Sequence, residues 1–148
     1  MARRRKWKVL VATDGSRGSA AALRFAADLA AAPSAALTVI TVAGVHAGEC
    51  VPAPPPDRAS KALASAARTL RRAGVAADLR VVDALPCESV PEAIRRESER
   101  LHADLVVVGS EGRDTLREWV VGGVALRLLY LASRPVAVIR PPKQRPRP

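Results

Sequence analysis

The chain has 148 residues, a length typical of one domain that can fold without a disulfide or a structural metal. Hydrophobic residues make up 49% of the sequence and aromatic residues only 3%, so the core must consist mainly of Ala, Val and Leu, and few rings are available to stack on nucleic-acid bases. Most of the formal charge of +10 lies in residues 3–8 and 140–147, which leaves a nearly neutral body and makes nucleic acid an unexpected partner.

Strand-like runs alternate with helical patterns along the whole chain. The predicted elements, in chain order, are a strand at Trp7–Thr13, a helix at Ser19–Ala31, a strand at Leu37–Val42, a helix at Arg58–Ala73, a strand at Asp78–Ala84, a helix at Ser89–His102, a strand at Asp104–Val108, a helix at Gly122–Ala132 and a strand at Pro135–Arg140. This alternation is typical of right-handed βαβ units with helices on both faces of a parallel sheet.

Local signals mark where several of these elements begin and end. Asp14-Gly15-Ser16 predicts a turn and a helix cap after the first strand. Four prolines and two glycines prevent regular structure between Ala43 and Asp57. Ser89-Val90-Pro91-Glu92 is a capping-box pattern, and it predicts the start of the third helix. The charged residues of that helix predict a salt-bridged solvent face: Glu92, Glu97, Glu99, Arg95, Arg96 and Arg100.

The fourth strand carries the clearest sign of burial. Leu105–Val108 has no polar alternation, which is typical of a central parallel strand covered on both faces. Arg80 and Asp83 in the third strand indicate a sheet edge instead. We therefore predict a single domain at residues 7–140, between a basic tail at residues 1–6 and a Pro/Arg-rich tail at residues 141–148.

Glycines after the fourth strand form the strongest local motif. Gly109 and Gly112 enclose two residues, and a further nine residues separate Gly112 from Gly122 and Gly123, at the start of the fourth helix. Glycine lets backbone approach an anion closely, and the N–H groups at a helix start attract phosphate. In a sheet ordered 3-2-1-4-5, the first strand, which ends near Asp14, lies beside the fourth. Ligands of open α/β sheets bind at this switch point, so the two polar strand ends are expected to share one crevice.

With these motifs in place, the chain resembles the universal stress protein family from about Lys8 to Arg140. The resemblance rests on these matching elements: Lys8-Val-Leu-Val-Ala-Thr-Asp14-Gly-Ser, Thr38-Val-Ile-Thr-Val42, Ala103-Asp-Leu-Val-Val-Val-Gly109-Ser, the Gly109-x2-Gly112-x9-Gly122 spacing, and Arg134-Pro-Val-Ala-Val-Ile. It implies an α/β fold of the adenine nucleotide alpha hydrolase-like type, with an open five-strand parallel sheet in the order 3-2-1-4-5 and four helices. It also implies a homodimer through the last strand, here Pro135–Ile139, and in one branch of the family bound ATP.

The resemblance also implies roles for particular residues. Thr13 and Asp14 would belong to the cofactor site, where Asp14 would contact the adenosine, and Val42 would meet the adenine. The phosphate-binding residues would be Gly109, Gly112, Gly122 and Gly123. Apolar walls would come from Val108 and Val124.

Two residues depart from the ATP-binding pattern of the family. The residue after Gly122 is usually Ser or Thr, and here it is Gly123, which has no hydroxyl to donate to a phosphate. Such a hydrogen bond to a charged group contributes about 1.5 to 3 kcal/mol, equivalent to roughly tenfold to a hundredfold in affinity. Glu111 would repel a polyphosphate unless Mg²⁺ or a neighbouring arginine, Arg113 or Arg117, compensates.

Other chemically capable residues have structural interpretations. Ser16 fits a helix cap better than a nucleophile, and His46 and His102 fit surface positions. Cys50 and Cys87 have no metal-site or disulfide-framework spacing, so we expect two isolated thiols and a reducing, cytoplasmic location. Only about six apolar residues follow the N-terminal charges, too few for a signal peptide or a membrane span.

These observations leave three functional hypotheses. The first is a nucleotide-responsive module of stress regulation that binds ATP and hydrolyses it weakly at most, because no base or water-orienting residue is identifiable. The second is a dimeric interaction module that keeps the fold, binds unidentified protein partners and lacks the nucleotide. The third is a nucleic-acid clamp made of the two basic tails, which would show a steep salt dependence.

Overall fold

A computed structural model describes residues 5–33, 35–44, 56–111 and 121–143 of the chain. In these residues five strands alternate with four helices, as the sequence predicts. They are β1 Trp7–Ala12, α1 Arg17–Ala31, β2 Ala35–Ala43, α2 Pro56–Ala73, β3 Ala77–Asp83, α3 Val90–Arg100, β4 Leu105–Gly109, α4 Gly123–Leu131 and β5 Val136–Ile139.

The five strands form one parallel sheet in the order β3-β2-β1-β4-β5. The α/β fold and the strand order predicted from the sequence are therefore confirmed. In the register between β1 and β4, Val11 lies opposite Val107, so the two strands end side by side at the carboxyl edge of the sheet. The edge position predicted for β3 is also confirmed, because β3 ends the sheet on one side.

Side chains alternate between two cores, one on each face of the sheet. Leu10, Ile40 and Val106 pack in the core on the side of α3 and α4. Val9, Val39 and Val107 point the other way and pack against α1 and α2. The central strands thus contribute buried aliphatic residues to both faces, which is why β4 has no polar residue.

The capping box that begins α3 is confirmed. The Ser89 side chain accepts a hydrogen bond from the Glu92 backbone N–H, and the Glu92 carboxylate accepts one from the Ser89 N–H at 2.7 Å. The Ser89 hydroxyl also donates to the Glu92 carboxylate at 2.6 Å, and this bond, together with the one from the Ser89 N–H, lowers the pKa of Glu92. Arg96 donates two hydrogen bonds to Glu88, at 2.8 and 3.0 Å, and holds the pKa of that carboxyl below its usual value. The turn between β3 and α3 is therefore fixed by charge-assisted hydrogen bonds.

The salt-bridged solvent face predicted for α3 is correct in pairing Glu97 and Glu99 with arginines. It is wrong for Glu92, which serves the capping box instead, and in the placement of Glu97. Arg95 pairs with Glu99, whereas Arg96 and Arg100 both contact Glu97. Glu97 is only 5% exposed, because α3 packs this position against the body of the domain. Its carboxylate is compensated by two guanidinium groups, as a buried charge requires.

The prediction of isolated thiols is wrong for Cys87. Cys87 is disulfide-bonded, in the turn between β3 and α3. Spacing alone could not reveal this bond, because cysteines distant in sequence can be brought together by the fold. Cys50 and His46 lie outside the described residues, and His102 is exposed after α3, as expected. No helix in the described residues combines the length and hydropathy needed to cross a membrane.

Candidate functional site

The ends of β1 and β4 meet in one crevice at the carboxyl edge of the sheet. The turn after β1 contacts the segment after β4 directly, since the Ser16 hydroxyl donates a hydrogen bond to the Glu111 carbonyl at 3.3 Å. The Gly122 N–H, just before α4, donates to the Ser110 carbonyl at 2.6 Å. Three segments of the chain that are distant in sequence therefore converge here, as the positions of their strands and helices require.

Hydrogen bonds within the turn after β1 hold it rigidly. The Asp14 carboxylate accepts a hydrogen bond from the Ser16 N–H at 2.9 Å, and the Thr13 hydroxyl accepts one from the Gly15 N–H at 3.2 Å. The Thr13 hydroxyl also donates to Ser19 at 3.0 Å. Because Thr13 is only 7% exposed and its hydroxyl is engaged on both sides, its evident role is to shape the turn, while Asp14 stays partly accessible.

Ser16 caps α1, as the sequence predicts. Its side chain accepts from the Ser19 N–H at 3.2 Å, and the Glu111 carbonyl lies against the same turn. One N–H group in the first turn of α1, that of Ser19, is therefore already supplied with an acceptor by the protein itself. The Glu111 carbonyl oxygen at the same turn carries a partial negative charge, so this helix start is less favourable for an added anion.

Gly109 and Gly18 allow the backbones of β4 and α1 to touch. A Cβ built on Gly109 would lie 2.3 Å from the carbonyl carbon of Gly18, and a Cβ built on Gly18 would lie 2.2 Å from the Glu111 carbonyl oxygen. The absence of a side chain at Gly109 is thus fully used by protein packing. The sequence interpretation missed Gly18, and its signal was a glycine in the first turn of a helix, where glycine is unfavourable.

The N-terminus of α4, unlike that of α1, has no side-chain cap. Gly122 occupies the cap position and makes no side-chain hydrogen bond, so no described group caps the N–H groups of Gly123 and Val124. A Cβ built on Gly123 would meet no atom of the described parts of the chain within 4 Å, and the side chain of Val124 is 39% exposed. Open space and uncapped N–H groups make this helix start the most suitable anion site among the described residues.

The remaining predicted site residues have different environments. Val42 and Val108 are brought together, because both belong to the core on the α3 and α4 side. They are 4% and 3% exposed, so they can form only the floor of the crevice. Gly112, Arg113 and Arg117 lie outside the described residues, and their predicted roles stay predictions.

Ionisable groups with altered pKa values lie on α3, in the turn before it and at Asp104. Arg96 lowers the pKa of Glu88, and the Lys8 backbone N–H and Arg5 lower the pKa of Asp104. Each shift is explained by a structural ion pair or cap. No group of three metal-ligating side chains occurs in the described residues. The crevice therefore offers anion binding rather than an evident acid–base pair.

The chain is similar to known proteins over most of its length. The model of the universal stress protein family matches residues 7–140. The stress response protein NhaX of Bacillus subtilis strain 168 is 25% identical over 165 aligned residues, covering 90% of this chain and 97% of that protein. Universal stress protein Rv2005c of Mycobacterium tuberculosis strain H37Rv is 32% identical over 146 residues, covering 92% of this chain and 48% of that protein. A crystal structure of a universal stress protein in complex with cAMP has a TM-score of 0.69 and 25% identity, and the match covers 92% of this chain and 98% of that one.

Proposed function

We propose, since the chain belongs to the universal stress protein family, that it binds an adenine nucleotide in the crevice between β1 and β4 as a module of stress regulation. The observation that carries the proposal is the uncapped N-terminus of α4, beside which Gly123 leaves open space. The complex of a universal stress protein with cAMP supports the ligand class.

In this proposal the backbone binds the phosphate of the ligand, and a few side chains contact the adenosine. The N–H groups of Gly123 and Val124 receive a phosphate, helped by the α4 dipole. Asp14, held by the Ser16 N–H, contacts the adenosine portion. Val42 and Val108 provide an apolar floor for the base.

More specifically, we propose that the adenine nucleotide is ATP, with or without Mg²⁺. Bound Mg²⁺ would neutralise the charge of a triphosphate near Glu111. The missing hydroxyl at Gly123 predicts weaker phosphate binding than in relatives that have Ser or Thr there, by roughly tenfold to a hundredfold. We expect binding without rapid turnover, because the hydroxyls of Thr13, Ser16 and Ser19 are all engaged in turn hydrogen bonds.

Three variants that differ only in the side chain at position 123 test the proposal. A Cβ at this position is clear of every other residue that the structure describes, so the fold is expected to persist in all three. Gly123→Ser adds the missing donor and should strengthen binding of Mg-ATP or AMP tenfold to a hundredfold in isothermal titration. Gly123→Ala controls for the loss of glycine and should leave the affinity near that of the native chain.

Gly123→Asp separates binding from stability. An acidic residue in the first turn stabilises a helix by about 0.3–1 kcal/mol, but its charge would repel a phosphate at the same N–H groups. We therefore expect a thermal midpoint equal to or above that of the native chain, together with lost nucleotide binding. If native protein gives no heat with AMP, cAMP or Mg-ATP at millimolar concentration, and Gly123→Ser does not restore it, the nucleotide proposal is wrong.

A dimeric interaction module is the second candidate, and a specific surface favours it. β5 is an edge strand, and on α4 the neighbouring residues Leu126, Leu129 and Tyr130 are 47%, 50% and 84% exposed. Apolar side chains exposed this far beside an unpaired strand edge are typical of a subunit interface. We propose a homodimer through Pro135–Ile139 and this face of α4.

Analytical ultracentrifugation of native protein and of Tyr130→Glu tests the dimer. Tyr130 is largely exposed, so its replacement should leave the fold intact while placing a charge in the interface. The expected result is a dimer that dissociates in the variant. A native chain that remains monomeric at high micromolar concentration would contradict the proposal, and Lys61→Glu on α2 provides a control for added charge.

A cytoplasmic location remains a prediction. The disulfide at Cys87 weakens one of its grounds, because disulfides are rare in reducing compartments. Cell fractionation combined with thiol alkylation before lysis tests both the location and the redox state. A reduced Cys87 in the soluble fraction would agree with the original expectation.

A further inference from the structure

The outer side of α2 carries an unusual excess of positive charge. Five basic residues lie in this helix, against a single acid, Asp57, and all five are exposed: Arg58, Lys61, Arg68, Arg71 and Arg72. We call this set the α2 basic stripe. From the sequence, we placed the excess charge in the two tails. A count of charges along the chain could not show the stripe, because it does not distinguish charges that have an ion-pair partner from charges that have none.

None of the five residues forms a salt bridge with another described residue, whereas every arginine of α3 does. On α3, Arg95 pairs with Glu99, and Arg96 and Arg100 pair with Glu97. The difference has a simple origin, because α3 has as many acids as bases and α2 has four more bases than acids. The positive potential of the stripe is therefore not cancelled locally.

Four members of the stripe fall on one line along the helix. Arg58, Lys61, Arg68 and Arg72 are separated by three, seven and four residues, which is the spacing of one helical face. The opposite face is the buried one, where Ala62, Ala66 and others pack towards β2 and β3. With a rise of 1.5 Å per residue, the line is about 21 Å long.

The composition of the stripe indicates the class of partner. α2 has no aromatic residue, so it offers no platform for the stacking of single-stranded bases. Only Ser and Ala lie between its basic residues on the exposed side, so it lacks both the apolar anchors of protein interfaces and the apolar face of membrane-surface helices. Four of its five cations are arginines, whose forked donors match phosphate oxygens.

From these features we propose that the α2 basic stripe binds the phosphate backbone of duplex nucleic acid without reading its sequence. Contacts of this kind are made by side chains and release condensed counterions, so affinity falls steeply with salt. The four aligned residues predict a slope of log affinity against log salt of about −3.6, or a loss of roughly 150-fold between 50 and 200 mM salt. The proposal does not depend on nucleotide binding in the crevice.

The test uses full-length protein, a fluorescent 20-base-pair DNA duplex of mixed sequence, and anisotropy titrations over a series of salt concentrations. One variant combines Arg58→Gln, Lys61→Gln, Arg68→Gln and Arg72→Gln. The matched control removes the same number of charges from the two tails by Arg3→Gln, Arg4→Gln, Lys6→Gln and Arg147→Gln, and it keeps Arg5, which is paired with Asp104. Circular dichroism and thermal midpoints establish that both variants remain folded.

We expect the α2 variant to lose about 3 to 4 units of the salt slope and the tail variant to lose less than one. Three outcomes would overturn the proposal: no duplex binding by native protein at 20 mM salt, equal losses in the two variants, or a larger loss in the tail variant. Binding only to vesicles of phosphatidylglycerol and phosphatidylcholine, and not to the duplex, would also overturn it and would assign the stripe to lipid.

Discussion

Gly109 is the position at which one added methyl group should be most damaging. Its Cβ would lie 2.3 Å from the Gly18 carbonyl carbon, 2.5 Å from the Gly18 carbonyl oxygen and 2.7 Å from the Ser19 nitrogen. All three are backbone atoms of α1, so no side-chain rotation can relieve the contact. Gly109→Ala therefore requires α1 and the end of β4 to move apart.

The magnitude follows from where that movement would occur. β4 is paired with β1 on one side and β5 on the other, so its end cannot shift without disturbing both ladders. Overpacking of a core by a methylene usually costs 1–3 kcal/mol, and a contact with backbone belongs at the upper end, about 3 kcal/mol. Since 1 kcal/mol corresponds to about 2–4 °C in a domain of this size, the thermal midpoint should fall by about 6–12 °C.

Urea denaturation followed by circular dichroism measures the free energy of unfolding of Gly109→Ala. Gly123→Ala is the control, because a Cβ there meets no atom of residues 5–33, 35–44, 56–111 or 121–143 within 4 Å, and alanine is a better helix former than glycine. It should be neutral or stabilising by up to about 1 kcal/mol. The reasoning would be refuted if Gly109→Ala came within 0.5 kcal/mol of the native chain, or if both variants lost stability equally.

Other variants test the interactions that hold the turn before α3. Ser89→Ala removes the cap of α3 and should lower the free energy of unfolding by about 1 kcal/mol in urea denaturation, whereas Ser89→Thr should retain most of it. In the native chain the lowered pKa of Glu88 stabilises the fold above its ordinary value of 4.5, and this contribution is lost as the pH falls through the lowered pKa. Arg96→Gln should therefore be less stable than the native chain at pH 7, and the difference should shrink at about pH 3; a constant difference would contradict the ion pair. For Cys87, Ellman titration of unfolded, unreduced protein should detect no free thiol, and Cys87→Ser should expose one; a native chain with two reactive thiols would contradict the disulfide.

Element boundaries were predictable from the sequence because local patterns determine them, whereas the strand order came from the resemblance to the family. The run Leu105–Val108 indicated a central strand, and Ser89 with Glu92 marked the start of α3 within one residue. Burial of Glu97 was not predictable in the same way. It depends on the rotation of α3 against the sheet, which is set by packing and not by the spacing of charges.

The functional meaning of individual glycines was only half predictable. The spacing of Gly109 and Gly123 suits a phosphate loop, yet the two residues do different things in the structure. Gly109 is in backbone contact with α1, whereas Gly123 faces open space. A glycine demanded by packing and a glycine left free for a ligand have the same letter in a sequence, and only the distances to neighbouring atoms separate them.

The same comparison explains which end of which helix can receive an anion. α1 and α4 both begin at the crevice, and both dipoles favour negative charge there. Ser16 caps the Ser19 N–H in the first turn of α1, but Gly122 has no side chain with which to cap α4. In the proposed complex, this difference between the two cap residues favours α4 as the site of the phosphate. The turn after β1 would then hold Asp14 against the adenosine, so that one nucleotide would be bound across the ends of β1 and β4.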